Sequence, residues 1–160
     1  MNGRRDDCIR WLLSQPPEKE YQVDDYRRKR SRDANAYFHV LCHKIAEKLG
    51  VSLSHVKNEV MSEYGQIDSD LPMVVFPDDI DWRENAYLHL RPTPSTRLMQ
   101  DGKLWRVYLV IRGSHTYNTK EMARLIDGVV QEAKGLEIET LPPAELERMM
   151  EMWRKHEVNH

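Results

Sequence analysis

The stretch WRVYLVIRGSHTYNTKEMARLIDGVVQEA, residues 105–133, contains the two periodicities that decide the fold class. Its first part alternates, with Val107, Leu109 and Ile111 on one face, and this alternation predicts a strand. Its second part repeats apolar residues at steps of three and four, which predicts a helix over 119–135. A strand that passes through a polar turn into a helix indicates a domain that mixes both kinds of element.

The rest of the chain repeats these two signals. Asn118 is a candidate cap for the helix over 119–135, and Glu121 follows as in a capping box. Pro92 and Pro94 are expected to break one strand into two, and Asp101-Gly102 predicts a hairpin turn. Further helices are predicted over 4–14, 33–49, 54–64 and from 142 onward, and further strands over 20–28, 73–76, 86–91 and 95–100. The expected fold is α+β, with about five helices packed on a small, mostly antiparallel sheet.

Length and charge bound the possible functions. The chain has 160 residues, 40% of them hydrophobic, which fits one domain over 1–160 with an acidic loop insertion around 66–84. The formal net charge is −2, so a nucleic-acid site must be a local patch. Cys8 and Cys42 form no disulfide framework, and no signal peptide or membrane span is recognisable. We therefore expect a cytoplasmic protein without a membrane partner or cofactor.

A basic run lies between a predicted strand and a predicted helix. It reads RRKRSR, residues 27–32, with cations at every position except Ser31. Arginine pairs well with phosphate, and a helix N-terminus also favours anions. The run is a candidate nucleic-acid site, and a solvated loop is the alternative.

A second candidate is the turn RGSHTYNTK, residues 112–120, which joins the strand to the helix. It is polar and cationic, so it suits phosphate contacts, and an ordinary capped turn is the alternative. Aromatic residues beside these basic segments are candidates for stacking on bases, although aromatic side chains more often belong to a core. These residues are Tyr26, Tyr37, Trp105 and Tyr117.

Two catalytic or metal-binding interpretations stay open. His39, Cys42 and His43 share a helix, so one face could present ligands to a metal, but no distant cysteine pair completes a site. A nuclease could use His115 with Asn118 and His89, or hold Mg²⁺ on the aspartates of segment 66–84. That acidic segment could equally dock a basic partner protein or repel DNA. The sequence contains no catalytic motif that demands an enzyme. We therefore predict a protein without enzymatic activity.

The order of these parts resembles the NinB (Orf) family of phage recombination proteins. The resemblance rests on RKRSRDAN at 28–35, the aromatic pair at 37–38, SHT at 114–116, MARLI at 122–126 and the closing Trp153. It covers roughly 8–64 and 105–155. The chain departs from the family pattern where a leading strand is truncated and where 66–104 is longer and more acidic.

The resemblance implies a homodimeric recombination mediator in the cytoplasm of a phage host. Such a protein binds single-stranded DNA, contacts the host single-strand-binding protein and helps to load a recombinase, without being an enzyme. The positions that match the family pattern are Arg28, Arg30, Ser31, Asn35, Ser114 and Lys120. Charge and position add Arg27, Lys29, Arg32, Arg112 and Arg124. A metal-dependent nuclease and a non-enzymatic protein-interaction module are the alternative functions.

Overall fold

The computed structural model describes residues 5–20 and 32–158. The chain divides into two compact units, residues 1–30 and 31–160. The first unit contains α1 (Arg5–Leu13), which confirms the helix predicted over 4–14. The strand predicted over 20–28 falls almost entirely outside the described residues.

The second unit is an α+β arrangement, so the predicted fold class is confirmed. Within the described ranges, no helix is both long and apolar enough to cross a bilayer. Its helices are α2 (Arg32–Leu49), α3 (Leu53–Tyr64), α4 (Thr119–Gly135) and α5 (Pro143–Val158). Its strands are β1 (Met73–Pro77), β2 (His89–Leu98) and β3 (Leu104–Ile111), and 3-10 turns occupy Trp82–Glu84 and Ser114–Thr116.

Side-chain caps fix where the helices begin. Ser52 Oγ accepts a 3.0 Å hydrogen bond from the backbone N–H of His55 at the start of α3. At the start of α4, Asn118 and Glu121 form the predicted capping box, each side chain accepting from the other residue's backbone N–H. Gly50 follows α2 with a φ of +69°, a left-handed conformation that suits glycine after a helix.

The three strands form one antiparallel sheet in the order β1-β3-β2. The predicted break at the prolines was wrong, because β2 continues through Pro92 and Pro94 to Leu98. Among these strands β2 is at an edge, where a missing N–H need not interrupt the ladder, and its register with β3 shifts between Pro92 and Thr96. The strand begins at His89 rather than 86, because the backbone N–H groups of Tyr87 and Leu88 donate to the Asn85 side chain.

Two apolar clusters hold the second unit together. The larger lies among α2, α3, α4 and α5, and includes Phe38, Met61 and Leu125. The smaller lies on one face of the sheet around Tyr108, where the loop after β1 covers it with Trp82. The helices therefore pack around one apolar cluster, and one face of the sheet packs in a second, separate cluster.

The acidic segment 66–84 uses several of its carboxylates inside the fold. Asp68 accepts two backbone hydrogen bonds from the turn that follows it. Asp78 lies 2.5 Å from Arg106 Nε on β3, and Glu84 accepts from Ser52 Oγ at 2.7 Å. The predicted acidic loop with one short strand therefore also connects the sheet to the start of α3 through its carboxylates.

Candidate nucleic-acid interface

Asn35 and the turn 112–120, which were predicted separately from the sequence, meet in the second unit. Ser114 Oγ donates a hydrogen bond of 2.6 Å to Asn35 Oδ1, across 79 residues of chain. Ser114 is buried and Asn35 is partly buried. This bond joins the first turn of α2 to the turn before α4, and we call the two segments, Asn35 and 112–120, the Asn35–Ser114 corner.

Tyr117 organises the corner from within. Its side chain is only 4% exposed, and its hydroxyl accepts from Gln66 N at 2.9 Å while donating to Arg112 O at 3.1 Å. Burial raises the pKa of this phenol, so it stays a neutral donor. The interpretation of Tyr117 as a base-stacking residue was therefore wrong, because the ring belongs to the core.

Arg112 is a brace of the turn. One guanidinium nitrogen donates to Thr116 O at 3.1 Å and to Thr116 Oγ1 at 2.9 Å. The other lies 2.5 Å from Glu121 Oε2, and the group stacks over the Tyr117 ring at 4.8 Å. A phosphate would have to compete with these contacts for the guanidinium. Arg112 therefore has a structural role in the turn in addition to its predicted role in DNA binding.

The N-terminus of α4 already carries carboxylates of the protein. Glu157 Oε2 on α5 accepts from Thr119 N at 2.8 Å and from Thr119 Oγ1 at 2.5 Å. These hydrogen bonds lower the pKa of Glu157, first through the side chain of Thr119 and then through its backbone. Since Glu121 closes the capping box beside it, phosphate contacts here depend on exposed side chains rather than on helix N–H groups.

Lys120 and Arg124 supply such side chains. Both are exposed and stand four residues apart on α4, which places them on one face of the helix. The end of α5 lies beside them, because Trp153 Nε1 donates to Tyr117 O at 3.0 Å. The same turn of α5 carries Lys155 and Arg154, and Arg154 Nη1 lies 3.3 Å from Glu151 Oε2.

The basic run itself is mostly outside the described part of the chain. Arg27, Arg28, Lys29, Arg30 and Ser31 lie there, as does the candidate stacking residue Tyr26. Arg32 is the first residue of α2, three positions before Asn35. The basic run therefore ends, in the sequence, at the first residue of α2.

The other two aromatic candidates also make structural contacts. Tyr37 is partly buried, and its hydroxyl accepts from Leu141 N at 2.8 Å. Trp105 is partly exposed on β3 and donates its indole N–H to Asp101 Oδ2 at 3.0 Å. Trp105 keeps part of its ring open, whereas Tyr37 serves to hold the segment before α5.

The residues of the metal interpretation point in different directions. Cys42 is fully buried, and burial raises the pKa of its thiol to about 12. His43 is exposed, with its Nδ1 atom 3.7 Å from Glu47 Oε1. Burial and then Lys57 lower the pKa of His39. Across the described ranges, no group of three His, Cys, Asp or Glu side chains is arranged to hold a metal ion.

The residues of the nuclease interpretation are largely engaged. His89 Nδ1 lies 2.6 Å from Asn58 Oδ1, and Asn118 Oδ1 accepts the capping hydrogen bond from Glu121 N at 2.9 Å. His115 is exposed in the turn. His89 and Asn118 therefore have structural roles, whereas His115 is exposed.

No protein-family model, no curated protein and no solved structure matches this chain. The resemblance to the NinB (Orf) family therefore rests on the sequence pattern described above.

Proposed function

We propose that this protein binds single-stranded DNA without catalysis and acts as a phage-type recombination mediator that assists the loading of a recombinase. The observation that carries the proposal is the hydrogen bond between Ser114 and Asn35. The two candidate DNA segments, chosen from separate sequence signals, share this contact. Asn35 and the turn 112–120 can therefore act on one ligand, and the basic run precedes Asn35 in the sequence.

The chemistry of the corner favours a backbone-directed mode of binding. Lys120 and Arg124 are exposed cations that can neutralise phosphates, and the cations of 27–32 precede Asn35 in the sequence. Asn35 and Ser114 are partly or fully buried and hydrogen-bonded to each other, so they fix the corner. Such a site discriminates little between base sequences, because phosphates carry no sequence information.

Fluorescence anisotropy tests this function directly. The wild-type protein is titrated into labelled single-stranded and duplex oligonucleotides at two salt concentrations, with and without Mg²⁺. We expect salt-sensitive binding that prefers single strands and leaves the oligonucleotide intact. Cleavage that requires Mg²⁺ would instead favour the nuclease. No binding at low salt would overturn the proposal and favour a protein-interaction module.

A double variant tests the assigned residues. Arg28→Ala with Arg30→Ala should weaken binding about equally across sequences. It should also reduce the slope of log affinity against log salt by roughly 0.7 for each lost single-strand phosphate contact. Normal binding by this variant would remove the basic run from the site.

The resemblance extends the proposal to a homodimer that contacts a single-strand-binding protein or a recombinase in the host-cell cytoplasm. Support for self-association comes from the sheet, where Met73 and Val75 on β1 expose apolar side chains on one face. Exposed apolar patches are typical of interaction surfaces. Sedimentation velocity over a range of protein concentrations distinguishes a dimer from a monomer.

A further inference from the structure

A groove of about 830 Å³ runs along α3, in the second unit. On one side it is lined by the final turns of α2 and α4, through Leu49 and Leu136. On the other side it is lined by Trp82 and by Arg91 of β2. Its volume falls in the range that binding sites occupy, and nothing in the DNA-binding proposal uses it.

Acidic side chains dominate the charge that this groove offers to a ligand. Arg91 donates to the Ser62 and Gly65 carbonyls at the end of α3, which holds its guanidinium there without neutralising it. Arg83 Nε lies 3.1 Å from Glu59 Oε1, which neutralises that carboxylate. Among the described residues that line the groove, the two carboxylates of Glu63 and Glu132 therefore outnumber the one remaining cation, Arg91.

Glu132 is held in place by a neutral phenol. Tyr64 Oη donates to Glu132 Oε1 at 2.8 Å. This hydrogen bond to Glu132 raises the pKa of Tyr64 to about 12, so the phenol keeps its proton. Tyr64 therefore holds the Glu132 carboxylate at the wall of the groove.

The backbone adds to the attraction for cations. α2 ends at Leu49 and α4 ends at Gly135, so the carboxyl ends of two helices border the same groove. A helix carries partial negative charge at its carboxyl end, and cations are stabilised there. The side-chain and backbone fields thus have the same sign.

A buried hydroxyl in the lining has no hydrogen-bond partner among the described residues. Ser62 is only 8% exposed, it lines the groove, and no described residue forms a hydrogen bond with its Oγ atom. Buried polar groups in folded proteins are normally hydrogen-bonded. This hydroxyl is therefore available to a polar group of a ligand in the groove.

The walls are apolar as well as acidic. Leu49 is 51% exposed, and Ile45, Val56 and Leu136 line the groove beside it. Lysine and arginine bury their methylene stems on apolar surface while the charged end stays polar. A compact metal ion or a nucleic acid uses none of these apolar walls, and the carboxylates repel nucleic acid.

We propose that this groove docks a cationic, amphipathic segment of a partner protein. Lysine or arginine side chains of the segment pair with Glu63 and Glu132, and its aliphatic side chains pack on Leu49 and Leu136. This is helix-in-groove recognition with electrostatic complementarity. The proposal concerns a different surface from the DNA-binding corner and does not rest on it.

The groove and the corner lie at opposite ends of α2. Asn35 stands in its first turn and Leu49 is its last residue, so the two are roughly 21 Å apart along the helix axis. A polyanion at one end and a cationic segment at the other would therefore not compete for space.

The probe for the experiment is a labelled amphipathic peptide of leucine and lysine, with a second peptide that has glutamate in place of lysine. Binding to the full chain is measured by anisotropy, and amide chemical shifts locate the bound peptide. We expect only the lysine peptide to bind, with shifts at residues of α3 and at the carboxyl ends of α2 and α4. Spermidine, a cation without apolar side chains, should bind much more weakly.

The decisive variant is Glu63→Lys with Glu132→Lys. It should weaken peptide binding by at least about tenfold, because both pairing carboxylates become repulsive. Glu145→Lys with Glu147→Lys makes the same charge change at exposed positions of α5 and should leave binding within about twofold. If the charge reversal impairs folding, Glu63→Gln with Glu132→Gln removes the charges while keeping the shape.

Three results would overturn the proposal. Equal binding of the glutamate peptide or of spermidine would show that the groove does not read an amphipathic cation. Unchanged binding by both groove variants would place the peptide elsewhere. Self-association of the protein that the groove variants abolish would make a second copy the occupant instead.

Discussion

Ser114 Oγ donates a 2.6 Å hydrogen bond to Asn35 Oδ1 and so joins two parts of the chain that are 79 residues apart. Asn35 is in the first turn of α2, directly after the basic run. Ser114 belongs to the turn that enters α4. The proposed DNA site depends on this contact, since it brings Asn35, which follows the basic run in the sequence, beside the turn 112–120.

Loss of that hydrogen bond should be measurable as stability. Ser114→Ala leaves the partly buried Asn35 Oδ1 without its donor, which should cost about 1–2 kcal/mol of unfolding free energy. Urea unfolding followed by circular dichroism measures the change. Ser95→Ala, at an exposed position of β2, is the matched control and should stay within about 0.5 kcal/mol of wild type. Equal stability of both variants would contradict the importance given to this bond.

The exposed cations of α4 should set the salt dependence of DNA binding. Lys120→Gln with Arg124→Gln should weaken single-strand binding at low salt and lower the salt slope by roughly 0.7 per lost phosphate contact. Lys134→Gln removes an exposed cation at the other end of α4 and should bind like wild type. If the Lys134 variant loses as much affinity as the double variant, binding is diffuse and the corner is not its site.

Gly128 should not tolerate a side chain. A Cβ atom there would lie 2.3–2.6 Å from the ring of Tyr64, so Gly128→Ala should force apart α3 and α4 and cost about 1–3 kcal/mol. At Gly135, on the same helix, a Cβ meets nothing within 4 Å. Gly135→Ala should therefore be neutral or stabilising, by up to about 1 kcal/mol. Thermal unfolding of the two variants measures whether each substitution lowers or raises stability. A Gly128→Ala variant as stable as wild type would contradict the described packing.

His89 is fixed in one neutral form by a hydrogen-bond chain. Asn58 Nδ2 donates to the Arg83 and Asn85 carbonyls at 2.5 and 3.0 Å. Its Oδ1 atom must therefore accept, and His89 Nδ1, 2.6 Å away, carries the proton. Burial, then Lys57 and His39, lower the pKa of this imidazole below its ordinary value of 6.5.

The direction of this shift predicts acid destabilisation. Below pH 6.5 the unfolded chain takes up a proton at residue 89 before the folded chain does, so stability falls as the pH decreases through that window. His89→Asn keeps an N–H donor toward Asn58 and removes the titration, and it should flatten the dependence of unfolding free energy on pH. His43→Asn, at an exposed position, is the control. An unchanged profile for His89→Asn would reject this role of His89.

Local patterns predicted the helices well because each carries its own signals. The capping box of Asn118 and Glu121 and the apolar stripe after it specify α4 without reference to the rest of the chain. The continuous strand β2 was not predictable in this way. Whether Pro92 breaks a strand depends on whether the strand is at a sheet edge, which is a tertiary property.

The site shows the same division. Sequence spacing identified the polar turn before α4, and the exposed Lys120 follows from its helical position. It did not indicate that Arg112 braces the turn through Glu121, or that Tyr117 is buried. Nor did it reveal that Glu157, 38 residues from Thr119, occupies the helix N-terminus. Long-range contacts determine which polar side chains are engaged in hydrogen bonds or ion pairs within the fold, and local sequence patterns do not contain this information.

Photo-crosslinking of single-stranded DNA tests the central claim most directly. A strand containing 5-bromodeoxyuridine is irradiated in complex with the 160-residue chain, and the crosslinked peptides are identified by mass spectrometry. The proposed site predicts crosslinks both in the segment 27–35 and in the segment 112–124. Crosslinks confined to other surfaces, or to only one of these segments, would contradict a shared DNA site at the Asn35–Ser114 corner.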